Sequence, residues 1–132
     1  GADVNDQNNQ EVTPLIYATF EVHNKIMKNL LKVEANINSK DNNGVTPLIA
    51  ASMKGNLQAV KMLLDNGAKI ESSDYTNETA LFKAAKEGYP KIVKELIDRG
   101  AETDIKNSQG HTPLRAAELN DNKEVINILN NN

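Results

Sequence analysis

Thr46-Pro47-Leu48-Ile49-Ala50-Ala51 is the stretch on which the fold turns. A threonine followed by proline and an apolar run is a helix start: the hydroxyl caps a backbone N–H, and proline suits the first helical position, where no N–H is needed. The pattern recurs as Thr13-Pro14-Leu15, Thr79-Ala80-Leu81 and Thr112-Pro113-Leu114, at intervals of 33 residues with no insertion. Five residues after each threonine stands an alanine (Ala18, Ala51, Ala84, Ala117), and seventeen after it a leucine (Leu30, Leu63, Leu96, Leu129). Self-similarity at a fixed period means an array of like units, which takes precedence over any local reading.

Each residue type has a physical role at its place in the period. Leu48 and Ala51 mark the inward face of a first helix, and the alanine lets a neighbouring helix approach closely. Gly55 and Gly88 stop the first helix where a left-handed backbone costs glycine nothing. In the third unit the second helix carries Ile92, Val93, Leu96 and Ile97 as one apolar stripe. Gly100 ends that helix, and the polar stretch through Asp104 and Asn107 to Gly110 predicts an extended excursion with a tight turn. One helix pair cannot cover its own stripe, so the units must stack into a solenoid.

These residues resemble the ankyrin repeat, whose period and Thr-Pro-Leu start they share. The second unit matches best, through Thr46 to Ala51, Gly55-Asn56, Val60, Leu63-Leu64 and Gly67-Ala68. Ile16, Ile49, Phe82 and Arg115 replace the family's histidine, so no histidine is there to hydrogen-bond between neighbouring loops. The resemblance implies an all-α ankyrin-repeat solenoid of stacked helix-turn-helix units with short extended, β-hairpin-like loops. It divides a single domain, 1–132, into the tail of a preceding repeat (1–7), three repeats (8–40, 41–73, 74–106) and a C-terminal capping repeat (107–132). Gly1-Ala2 falls in phase with Gly67-Ala68, so an upstream repeat is expected; Asn130 to Asn132 give the last helix the polar face of a cap. The expected core includes Leu15, Ala18, Leu30, Leu48, Leu63, Leu64, Leu81, Leu96, Leu114 and Leu129.

The chemistry of an enzyme is missing from the sequence. With no cysteine there is no thiol nucleophile, disulfide or thiolate metal site. His23 and His111 fall more than two repeats apart and cannot share a ligand; turn and surface roles suit them. Asp41-Asn42-Asn43-Gly44 imitates a calcium loop, but Ser39 replaces the first acidic ligand and Ala50 the closing glutamate, so it reads as a turn. Asn77-Glu78-Thr79 is a formal glycosylation sequon in a chain with 19 asparagines, and Thr79 already serves as a helix cap; chance explains it. No enzyme activity, cofactor or metal is expected. A net charge of -3 argues against nucleic acid as partner, and no apolar run is long enough to span a membrane. A chain opening at Gly1 has no targeting signal to read; its location stays open, with the cytoplasm favoured.

Two readings remain: a protein-protein interaction module working through the concave groove and loop edge, or a structural or regulatory segment packed on another domain of its own chain. Sorted by place in the repeat, charged residues sum to -7 on the loops, +4 on the second helices with their turns, and zero on the first helices. An acidic loop edge calls for a basic partner with apolar anchors, bound by a monomer. In the resembling family, contacts lie at the turn residues before each threonine and near the end of the first helix. Carried over, with Gln10 beside the first of them, these are Val12, Phe20, Val45, Met53, Lys54, Tyr75, Glu78, Lys86, Glu87, His111, Leu119 and Asn120. Phe20, Met53 and Leu119 share one phase in which exposure is expected, and Tyr75 has the rigid, two-sided character of a hot spot.

Overall fold

A computed structural model describes residue 16, residues 24–32 and residues 36–132. Seven helices run through the described residues: α1 (Asn24–Lys32), α2 (Pro47–Lys54), α3 (Leu57–Asp65), α4 (Ala80–Glu87), α5 (Pro90–Asp98), α6 (Pro113–Leu119) and α7 (Lys123–Asn130). Ile16 is helical and buried. The threonines cap as the sequence demands: the hydroxyls of Thr46, Thr79 and Thr112 each accept from the backbone N–H three residues on, at 3.2 Å. Gly55 and Gly88 end α2 and α4 with φ of 74° and 82°. In the last unit Asp121 takes that place, with φ 53°, a conformation aspartate tolerates better than most residues.

The helices form two layers, α2, α4 and α6 in one and α1, α3, α5 and α7 in the other; α2 packs on α3, α4 on α5 and α6 on α7, and each helix packs on its counterparts in neighbouring units. Between the layers lies one continuous core of Leu48, Leu63, Leu81, Leu96 and Leu129 with Ile49, Val60, Ile92, Val93 and Val125. Ala51, Ala84 and Ala117 are fully buried where the first helices pack side by side. Leu64 and Leu114, expected in the core, are only partly buried against it. Leu64 sits one position round the helix from Leu63 and so flanks the stripe, and Leu114 lies on the last described first helix. Leu15 and Ala18 lie outside the described residues, as does the side chain of Leu30.

The loops are fingers rather than strands. Among the described residues the only β pairing is an isolated bridge between Ser73 and Thr79. One polar residue organises each finger: Asp41, Asp74 and Asn107 accept at their Oδ1 from the backbone N–H groups two and four residues on, at 2.8 to 3.0 Å. Each also donates its own N–H to the carbonyl four residues on. The tight turn then requires φ > 0 at the third residue after the organiser, filled by Gly44, Asn77 and Gly110. Successive fingers are joined at their tips by backbone bonds, Tyr75 N–H to Asn43 O at 3.0 Å and Ser108 N–H to Thr76 O at 2.8 Å.

Candidate functional site: the first-helix face and the finger edge

The first helices and fingers present the surface on which the candidate residues were placed. Between α4 and α6 lies a hollow of about 140 Å³ with Phe82 and Ala116 in its lining. Lys86, His111, Leu119 and Asn120 meet around it, and Leu119 is 55 % exposed. Tyr75 stands apart on the finger edge, 68 % exposed, its ring laid over Gly44 so closely that a Cβ there would come within 2.9 Å of it. The Lys40 ammonium lies 5.8 Å from the ring centroid and donates to Ser73 O at 2.9 Å. Lys54 and Glu87 are exposed at the ends of α2 and α4, while Met53 is half-buried against the core. Gln10, Val12 and Phe20 lie outside the described residues, as does His23.

Two candidates are corrected. Val45 is buried: its backbone closes the finger against Asp41, and its side chain joins the apolar core. Glu78, in phase with Val45, is buried too and is committed to neighbours. Lys83 Nζ lies 2.7 Å from Glu78 Oε1 and 3.0 Å from Asp74 Oδ2, and Asn107 Nδ2 donates to Glu78 Oε2 at 2.8 Å. This network ties the root of one finger to the next and to α4. Burial pushes the Asp74 carboxyl up, but hydrogen bonds from the Glu78 N–H, Thr76 and the Lys83 ammonium outweigh it and hold the group below its ordinary value. Burial likewise works against the Lys83 ammonium, and the Glu78 and Asp74 carboxylates overcome it, leaving the group above its ordinary value. The signal that could have revealed the network is the phase of Lys83, which Ala50 and Ala116 occupy in the adjoining units; both are buried, and a lysine in a buried place needs partners.

Burial withdraws three carboxylates from the described part of the edge. Of the loop carboxylates counted towards -7, Asp41, Asp74 and Glu78 are buried and hydrogen-bonded inside the fingers. Among the described residues, the exposed loop charges are Glu71, Glu102 and Asp104 against Lys40, Lys69 and Lys106, three against three. The outer face of the second helices keeps its lysines in solvent, with Lys25, Lys28, Lys61, Lys91, Lys94 and Lys123 all exposed. Among the described residues no group of three or more His, Asp or Glu side chains could hold a metal ion, and no helix is long and apolar enough to cross a membrane.

No curated protein matches the chain. The family profile described as ankyrin repeats (three copies) matches residues 1–74 and again 71–132. With that profile spanning the sequence, and with Thr-capped first helices, paired second helices and projecting fingers repeating every 33 residues, the chain belongs to the ankyrin repeat family.

Proposed function

We propose that this chain is a protein-interaction module that grips a segment of a partner across the first-helix face and finger edge, with the hollow between α4 and α6 as its anchor point. Ankyrin repeats are in general protein-interaction modules and typically without enzyme activity, which supports the class. The observation that carries the site is Leu119, more than half exposed at a hollow lined by Phe82 and Ala116, with Lys86, His111 and Asn120 around it. An apolar anchor set among polar groups is the arrangement of a hot spot with a water-excluding rim. Tyr75, reached along the same edge, supplies a second rigid contact. The partner segment carries an apolar anchor side chain; along the described part of the edge, where three exposed carboxylates face three exposed lysines, polar flanks suit it better than a strongly basic sequence.

Peptides selected from a displayed library on the wild-type chain test this. Leu119→Ala, with its helical signal unchanged, weakens the selected peptides by about tenfold or more, as loss of a hot-spot residue does. Peptides that ignore Leu119→Ala and Tyr75→Ala but are lost on Lys61→Glu, on the opposite layer, would place the binding face elsewhere.

A further inference from the structure

The hollow between α4 and α6 has two sides of different chemistry. Phe82, Ala116 and Leu119 make one side apolar, while Glu78 and Asn107 line it from the fingers. Among the described residues each Glu78 carboxylate oxygen takes one donor, Lys83 Nζ on Oε1 at 2.7 Å and Asn107 Nδ2 on Oε2 at 2.8 Å. A carboxylate oxygen has room for two. Lys83 is shared with Asp74, so one ammonium serves two carboxylates and the cluster keeps a net negative charge. The groove one unit earlier is built otherwise: Val45, in the phase of Glu78, turns into the core, and Lys83 holds the phase of Ala116. Among the described residues, then, a part-satisfied acceptor and the small residue that makes room beside it meet only between α4 and α6.

We infer that this hollow takes a tryptophan side chain of the partner, its indole body against Phe82, Ala116 and Leu119 and its N–H donated to Glu78; the inference rests on the interaction-module reading above and names the anchor. Any side chain seated there strips water from Glu78, and one made of hydrocarbon alone leaves the charge desolvated with nothing in return. A donor on the edge of an apolar body offsets that loss with a charge-assisted hydrogen bond. Lys86 at the rim already balances the charge of the cluster, so a partner arginine or lysine would bring one cation too many. Tyrosine would set its own oxygen lone pairs against a carboxylate, whereas the indole N–H is a donor only.

The chain, labelled at alanine and leucine methyls, is titrated with N-acetyl-tryptophanamide, with its indole N-methyl derivative and with N-acetyl-phenylalaninamide. The expected result is a saturable joint shift of Ala116 and Leu119 with a dissociation constant on the order of millimolar. Binding is about tenfold weaker for the N-methyl derivative, which keeps the ring and loses the donor, and for the phenylalanine compound. Glu78→Gln brings the two indoles to within about twofold of each other, an unchanged Ala59 methyl on α3 certifying its fold. The comparison of the two indoles on the wild-type chain decides the matter whatever that variant does. No joint shift, equal binding of the N-methyl derivative, or a preference that survives Glu78→Gln would each overturn the assignment. Library peptides that need Leu119 but carry an aliphatic anchor would overturn the tryptophan alone; peptides that ignore Leu119→Ala would overturn the reading on which it rests.

Discussion

Replacing Lys83 by alanine removes the one cation from a pair of carboxylates whose side chains are only 7 % and 11 % exposed. Stripping the partner from a buried pair costs about 3–5 kcal/mol when nothing else compensates. Here compensation is unequal. Asp74 keeps the N–H groups of Thr76 and Glu78 and the Thr76 hydroxyl, the backbone part of which is all that Asp41 has in the preceding unit. Glu78 keeps only the Asn107 amide. The cost therefore falls mainly on Glu78, and Lys83→Ala should destabilise by about 2–3 kcal/mol. Glu78→Val alone leaves Lys83 on Asp74 and orphans the Asn107 amide, for about 2 kcal/mol. The double change Glu78→Val/Lys83→Ala copies Val45 and Ala50 of the unit before it, leaves only the Asn107 amide unmatched, and should cost about 1–2 kcal/mol, less than the sum of the single changes by roughly 2–3 kcal/mol. Urea unfolding at neutral pH, followed by helical ellipticity and by amide exchange of α4, measures all three. Additive costs would show that Lys83 and Glu78 do not act as a unit, and a near-silent Lys83→Ala would refute the network as a source of stability.

Other outcomes follow from the same geometry. Leu63→Ala or Leu96→Ala, each emptying a fully buried site, should cost about 2–5 kcal/mol by urea midpoint. Asp74 titrates below 3.8 in the folded chain, so its contribution is whole above that pH and drains away as pH falls through the native value; the urea midpoint should drop steeply below about pH 4. Lys83 titrates above 10.5, so its contribution is whole below that pH and is lost as pH rises beyond it, a loss absent from Glu78→Val/Lys83→Ala. Gly55→Ala meets both a left-handed backbone and the Tyr89 ring, 2.7 Å from the added Cβ, whereas Gly67→Ala meets only the backbone term. The thermal midpoint should fall further for Gly55→Ala, with the backbone term in each near 1–2 kcal/mol.

The helix starts and stops were legible because each depends on local chemistry: a hydroxyl three residues before the N–H it caps at Thr46, Thr79 and Thr112, and a left-handed residue after α2 and α4. The buried places of Leu48, Leu63, Leu81, Leu96 and Leu129 followed from the same phase, whereas Leu64 and Leu114 flank the core. What escaped was the direction of charged side chains. Asp74 and Glu78 were counted by segment as an acidic edge, whereas the finger turns both carboxylates inward toward a lysine on α4. Equal phase also hid unequal cover: Met53 lies beside α4 of the next unit and is half-buried, while Leu119, in the same phase on the last described first helix, stands in solvent. Phase assigns a residue to a place in the unit; what its neighbours bring decides whether that place is open.

The tip-to-tip bonds between fingers give the array a mechanical grain. Backbone hydrogen bonds hold their length to a few tenths of an ångström, as those from Tyr75 to Asn43 and from Ser108 to Thr76 must. The contacts between second helices are side-chain contacts that slide and re-pack at little cost. Flexing of the stack therefore pivots on the finger edge, and the outer layer stretches or shortens like the spine of a fan. Arg99 at the end of α5, its Nη1 2.8 Å from Asp65 Oδ1 on α3, braces part of that outer layer, whereas between α5 and α7 Asn132 holds the phase of Arg99 beside a hollow of about 430 Å³.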